Sequence, residues 1–206
     1  TSLLSNKDII NQRFRSELSL LRKYLGLRNI SSEIRHRVEN LFQFLLIRQG
    51  GMLESQFLQD LPQGLVTEIM KNFLPLLQNV SFFYNQNEQL LILCVKRLQF
   101  RTYIPNTIIC FQHERKRELL LIRMGRIDIK VSTSRNALFS CMTGDVIGEY
   151  EFFFGTPSSV LIETSAYSEV LVLEYHSLIE AVKEFDPMIN FEMWFTTQQD
   201  LLEKVK

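Results

Sequence analysis

Gly144-Asp145-Val146-Ile147-Gly148-Glu149 is the stretch on which the reading of this 206-residue chain turns. Two glycines bracket a β-branched pair, a carboxylate follows, and Tyr150-Glu151-Phe152-Phe153-Phe154 leads into a second turn at Gly155-Thr156-Pro157. Glycine and proline at such spacing punctuate short elements. Outward from this stretch the chain carries short β-rich runs: 107–111, 118–123, 126–131 and 137–140 before it, 160–164 and 169–174 after it. Pro105-Asn106 and Gly125 supply further turns. Regularly spaced short strands predict an antiparallel β-roll, jelly-roll-like in plan.

The first half reads as helix. Ile10, Phe14, Leu18, Leu21 and Leu25 form an apolar stripe at helical spacing, with Gly26 as the expected stop. Ser31 or Ser32 can cap a second helix carrying Ile34, Val38, Phe42 and Leu45, broken at Gly50-Gly51. Further helices are expected at 54–60, 62–73 and 86–98. After the roll, 178–185 returns to helix, and Asp186-Pro187 predicts a cap and first turn for a last helix running toward Lys206. The order is helices, roll, helices. That is an α+β plan, divided into a helical linker over 1–80 and the roll with its flanking helices over 81–206.

Composition narrows the function classes. Twenty-three basic side chains balance twenty-three acidic ones, which argues against broad electrostatic capture of nucleic acid polymers. Cys94, Cys110 and Cys141 sit in apolar surroundings without metal-like spacing and read as buried small hydrophobes. His36 and His176 lack ligand partners at metal spacing, so no metal site is expected. No nucleophile elbow, Walker loop or HExxH is present, and an enzyme is not expected. No apolar run reaches the roughly 18 residues that cross a bilayer. The chain starts at Thr1 and is read as part of something larger, so the parent can still hold membrane spans.

Gly144 through Glu149 resembles the G-x-x-F-G-E motif opening the phosphate-binding cassette of cyclic-nucleotide-binding domains. Leu121-Ile122-Arg123-Met124-Gly125 resembles that family's strand-then-glycine step, and Pro105-Asn106-Thr107-Ile108-Ile109 its P-G-x-x-I turn. Phe14 through Leu27, Arg28-Asn29-Ile30-Ser31-Ser32, Arg37-Val38-Glu39, and Met52 through Pro62 followed by Leu65 through Ile69 resemble the linker that joins pore to domain in cyclic-nucleotide-gated channels. Hyperpolarisation-activated and ether-à-go-go-type channels share this layout. The resemblance covers nearly the whole chain. It implies a gating module on the cytoplasmic side of the plasma membrane, assembled as a tetramer with identical or homologous subunits of a membrane-embedded parent. A soluble kinase regulatory subunit or bacterial transcription factor would leave the linker unexplained. The similar regulatory region of a sperm-type sodium–proton exchanger is the remaining alternative parent.

The resemblance also implies a pocket built from Gly148, Glu149, Tyr150, Ser158 and Ser159. Glu149 would accept from the ribose 2′-hydroxyl, and backbone amides beside Gly148 would approach the phosphate. The family's phosphate-binding arginine falls nine residues beyond Glu149, where this chain has Ser158. No arginine or lysine lies between Glu149 and Lys183. Losing the cationic partner of a desolvated phosphate costs about 2–5 kcal/mol. His113 replaces the usual glycine after the second strand, and Ile147 the cassette aromatic. Two readings follow. Either cAMP or cGMP binds weakly through Glu149, Ser159 and amides, or the pocket binds no nucleotide and serves as a structural or partner-regulated module, the preferred reading. In both, an entering phosphate is expected to meet hydroxyls and amides but no cation. The run His113-Glu114-Arg115-Lys116-Arg117 is read as a solvated turn.

Overall fold

A computed structural model describes residues 2–49, 61–131, 136–192 and 194–196. The expected helix at 54–60, the Gly50-Gly51 break and the end of the last helix lie outside the described residues. The chain divides into two compact units, Thr1–Pro62 and Gln63–Lys206.

The first unit contains helices α1 (Ser2–Leu27) and α2 (Ser32–Gln49). Gly26 is not the stop. Ile30 N–H donates to Leu25 O and Asn29 N–H to Gly26 O, with Asn29 in the left-handed region at φ 51°. This is a Schellman ending in which asparagine takes the position glycine usually holds. Ser31 provides the cap, its Oγ accepting from Ile34 N at 3.4 Å. Arg22 binds Glu39 through two 3.0 Å hydrogen bonds, pinning one helix to the other. Leu25 is buried, whereas Leu20, Tyr24 and Leu27 stand 65%, 56% and 84% exposed along one side of α1.

The second unit starts with α3 (Gln63–Lys71), α4 (Leu74–Gln78), a 3-10 turn at Ser81–Phe83 and α5 (Glu88–Lys96). The helix expected over 62–73 is thus shorter, and Pro75 opens a separate one, as its fixed φ suits a first turn. Asn87 caps α5 by accepting from Gln89 N at 2.8 Å.

Among the described residues eight strands follow: β1 (Gln99–Tyr103), β2 (Ile108–Cys110), β3 (Glu118–Met124), β4 (Arg126–Lys130), β5 (Phe139–Met142), β6 (Val146–Ile147), β7 (Leu161–Thr164) and β8 (Ser168–Glu174). They form two antiparallel four-stranded sheets, ordered β1-β8-β3-β6 and β2-β7-β4-β5. The α+β roll is the fold the sequence predicts. Between the sheets lie Ile109, Leu120, Ile122, Ile127, Ile129, Ile147, Ile162, Val170 and Val172. The pairing Leu120–Val172 and Ile122–Val170 puts these four on one face, and Leu119–Leu173 and Leu121–Leu171 on the other. Both faces are buried. That is why β3 reads as an unbroken apolar run rather than an alternating one. Helix α6 (Glu149–Phe154) joins β6 to β7, and α7 (Tyr175–Phe185) follows β8 and packs on α5.

Two local expectations shift. The run at 137–140 forms a strand only from Phe139 to Met142, because Asp145 Oδ2 accepts from Met142 N at 2.7 Å and sets the turn there. Asp186-Pro187 does not open a helix. Asp186 Oδ1 accepts from Met188 N at 3.0 Å in an Asx turn, and helical residues resume at 191–192 and 194–196.

Gly125 shows how tightly the β3–β4 turn meets the next crossing. It sits at φ 107°, and a Cβ there would lie 2.5 Å from Tyr167 O and 2.6 Å from Ser168 Cα. Gly125→Ala should therefore lower the unfolding free energy by about 2 kcal/mol or more. Gly64→Ala, on α3 with open space around the added methyl, should be neutral or stabilise by about 0.5–1 kcal/mol. Urea unfolding of both variants checks the contrast.

Candidate functional site

The loop from Gly144 to Ser158 is held to the roll at both ends. Gly144 N–H donates to Ile122 O at 2.8 Å, and Ile122 N–H donates to Asp145 O at 3.0 Å. β6 then pairs with β3 through Leu120–Ile147 and Leu121–Val146. Gly148 follows at φ 89°, and a Cβ on it would lie 2.6 Å from Glu118 O. Only glycine lets the loop pass β3 this closely while turning into α6. Ile147, which replaces the aromatic of the motif it resembles, is buried in the core between the sheets.

Beneath α6 is a cleft lined by Ile109, Cys110, Leu120 and Ile162 on its apolar side. Lys116, Glu118, Gly148, Glu151 and Ser158 complete the lining. Its cavity volume is about 20 Å3, room for about one water molecule and far too little for a nucleotide without movement of the walls.

The five residues expected to form a pocket are only partly brought together. Gly148 and Ser158 line the cleft. Ser158 is buried and fully used locally: its Oγ donates to Val160 O at 3.0 Å, its N–H to Glu114 O at 2.9 Å, and its carbonyl accepts from His113 N at 2.7 Å. Glu149 does not line the cleft. Its Oε1 accepts from Ser81 N at 3.2 Å, tying α6 to the 3-10 turn. Tyr150 is 54% exposed with its ring 4.7 Å from Phe154. Ser159 is exposed, and its carbonyl accepts from Gln112 Nε2 at 2.9 Å.

The expectation of a cleft without a cation is corrected. Lys116 stands in it, although Nζ contacts Glu118 Oε2 at 3.1 Å and donates to Ile109 O at 3.3 Å. Glu118 Oε1 in turn takes Arg101 at 2.9 Å, and Arg101 reaches Glu174 at 2.9 Å. The cleft thus holds one lysine against Glu118 and Glu151. Arg123 and Arg126 do not enter it. Arg123 lies 5.9 and 5.8 Å from the Phe73 and Phe100 ring centres, while Arg126 binds Asp128 and Ser140.

The basic run at 113–117 is more than a solvated turn. His113 holds φ 69° where the resemblance led to glycine. Arg117 lies over the Tyr175 ring at 3.3 Å and donates from Nε to Phe152 O at 3.0 Å and from Nη2 to Phe153 O at 3.2 Å. It satisfies carbonyls that a helix end leaves open. On its other side α6 buries Phe152 and Phe153 among aromatic rings. Phe153 stacks on Phe82 at 4.3 Å and meets Phe195 at 5.9 Å; Phe152 meets Tyr175 at 5.8 Å. Trp194 approaches Phe82 at 5.5 Å. The three cysteines are free and buried, and burial pushes the Cys94 thiol up to about 12.

The sequence profile of the cyclic nucleotide-binding domain matches residues 100–185, the span holding all eight strands except the first residue of β1, together with the cleft and both flanking helices α6 and α7. The β-roll is a cyclic nucleotide-binding domain. Over about nine-tenths of its length the chain is similar to cyclic nucleotide-gated channels. It is 24% identical over 191 residues to one from Caenorhabditis elegans, covering 89% of this chain and 26% of the relative. It is 26% identical over 191 residues to the rod photoreceptor subunit alpha of Gallus gallus, covering 89% and 30%. With the alpha-4 channel of Rattus norvegicus it shares 26% over 192 residues, covering 90% and 33%. The chain therefore spans about a quarter to a third of the length of these relatives.

Within this cyclic nucleotide-binding domain Arg117 is a positioning residue for the cassette helix α6. Removing it strips two charge-assisted hydrogen bonds and a ring contact. Arg117→Met should lower the stability of the second unit by about 2 kcal/mol in thermal unfolding. Arg117→Lys should recover less than half of that loss, since an ammonium cannot serve two carbonyls and a ring face with one planar fork.

Proposed function

We propose that this chain is the cytosolic gating module of a tetrameric cation channel, with a nucleotide pocket that binds cAMP and cGMP weakly or not at all. Similarity to cyclic nucleotide-gated channels across both the helical region and the roll supports a channel parent. On this reading the parent is embedded in the plasma membrane and this region lies on its cytoplasmic side. The linker occupies 1–80 and the nucleotide-binding fold 81–206.

The observation that carries the weak pocket is the charge balance of the cleft. A cyclic phosphate entering beside Ser158 finds no arginine, a lysine already paired with Glu118, and a second carboxylate in Glu151. Transfer of an anion into a part-buried site without a free cation is unfavourable. Glu149, the residue for a ribose hydroxyl, spends one oxygen on Ser81 N. Coupling to the pore requires a ligand that distinguishes two states of the module, and a pocket with little affinity has little to distribute between them.

Subunit assembly is supported by α1. Leu20, Tyr24 and Leu27 recur at i, i+4 and i+7 and are left to water, a stripe that another helix would cover.

Two measurements test these statements. Calorimetric titration should give millimolar or weaker affinity for both cAMP and cGMP; micromolar binding of either would refute the weak pocket. Sedimentation should show concentration-dependent association toward a tetramer, weakened by Leu20→Glu with Leu27→Glu. A strict monomer at millimolar concentration would count against the ring.

A further inference from the structure

Glu151 differs from every other carboxylate near the cleft. Glu118 binds Arg101 and contacts Lys116, Glu149 accepts from Ser81 N, and Glu114 accepts from Phe111 N at 2.8 Å. Each of these holds part of the fold together. Glu151 lines the cleft with Gly148 and Ser158, yet no partner for its carboxylate is found among the described residues. Only its backbone is engaged, its carbonyl accepting from Gly155 N at 2.9 Å. A half-buried carboxylate without a structural partner acts mainly through its field on whatever enters.

We propose that Glu151 is a specificity-determining residue of the cleft, excluding anionic ligands in addition to the effect of the missing arginine at 158. The proposal rests on the reading of the cleft as a degenerate nucleotide pocket. Glu151 lines the same small space as Gly148 and Ser158, where a cyclic phosphate would have to stand. Two like charges at contact distance repel by about fivefold in affinity even under water-like screening, and by more in a part-buried cleft. A guanidinium placed at 158 would meet Glu151 before any ligand arrives and lose much of its charge to that pair. Restoring the arginine alone is therefore insufficient; the two positions act together.

The test compares cAMP with adenosine, which carries the base and ribose but no phosphate. Both are titrated into the unmodified chain, Glu151→Gln, Ser158→Arg and the double variant, followed by calorimetry and amide chemical shifts. Glu151→Gln should tighten cAMP about fivefold and leave adenosine unchanged. The double variant should bind cAMP at least about tenfold more tightly than Ser158→Arg. Unchanged cAMP affinity in Glu151→Gln, or Ser158→Arg matching the double variant, would overturn the proposal. Ser158 is buried and an arginine there can unfold the chain, so the Glu151→Gln comparison with adenosine decides the matter by itself. Micromolar cAMP binding by the unmodified chain is a separate result: it removes the degenerate pocket and the proposal with it.

Discussion

Arg117 is the contact around which the second unit is organised. Its guanidinium lies 3.3 Å from the Tyr175 ring centre and reaches carbonyls near the end of α6, so one side chain at the entry to β3 joins the cassette helix and the start of α7. The joint is reinforced by backbone, since Tyr175 N–H donates to Arg117 O at 3.1 Å. Phe152 meets the same Tyr175 ring, and Phe153 packs against Phe82 of the 3-10 turn and Phe195 of the terminal helical residues. Aromatic pairs of this geometry add about 0.5–1.5 kcal/mol each beyond the area they bury. The helix that a ligand would draw against the roll is already there.

That arrangement changes what the cleft can do. A pocket that closes only on a ligand converts binding into movement. On the proposed reading, a pocket whose helix α6 is already held by the protein's own arginine and phenylalanines would have little movement left to give. The 20 Å3 cavity, the Glu149–Ser81 hydrogen bond and the excess of carboxylate over lysine point the same way. On the proposed reading, gating would respond to whatever loosens or tightens the aromatic cluster, a partner surface as readily as a small molecule.

Much of this architecture can be read from residue order alone. The glycines at 125, 144, 148 and 155 all take positive φ, and their spacing is what makes the strands and the cassette legible. Two strands escaped notice for opposite reasons. Val146–Ile147 is too short to carry a period, and Gln99–Tyr103 mixes polar and aromatic residues because it is only half-buried. At the site, proximity in sequence misled. Ser158 and Ser159 are neighbours, yet one is buried and the other exposed. Lys116 and Arg117 sit in a charged run of the kind usually left to solvent; only the registration of β3 against the cassette turns one into the cleft and the other onto Tyr175. Glu149 finds its partner 68 residues away, a distance no local pattern reports.

The account stands on α6 being docked by the protein's own side chains. Amide hydrogen exchange across 152–155, measured with and without saturating cAMP, addresses this directly. The account predicts strong protection of these amides in the free protein and no further slowing when nucleotide is added. Fast exchange in the free protein that slows by orders of magnitude on adding cAMP would contradict it.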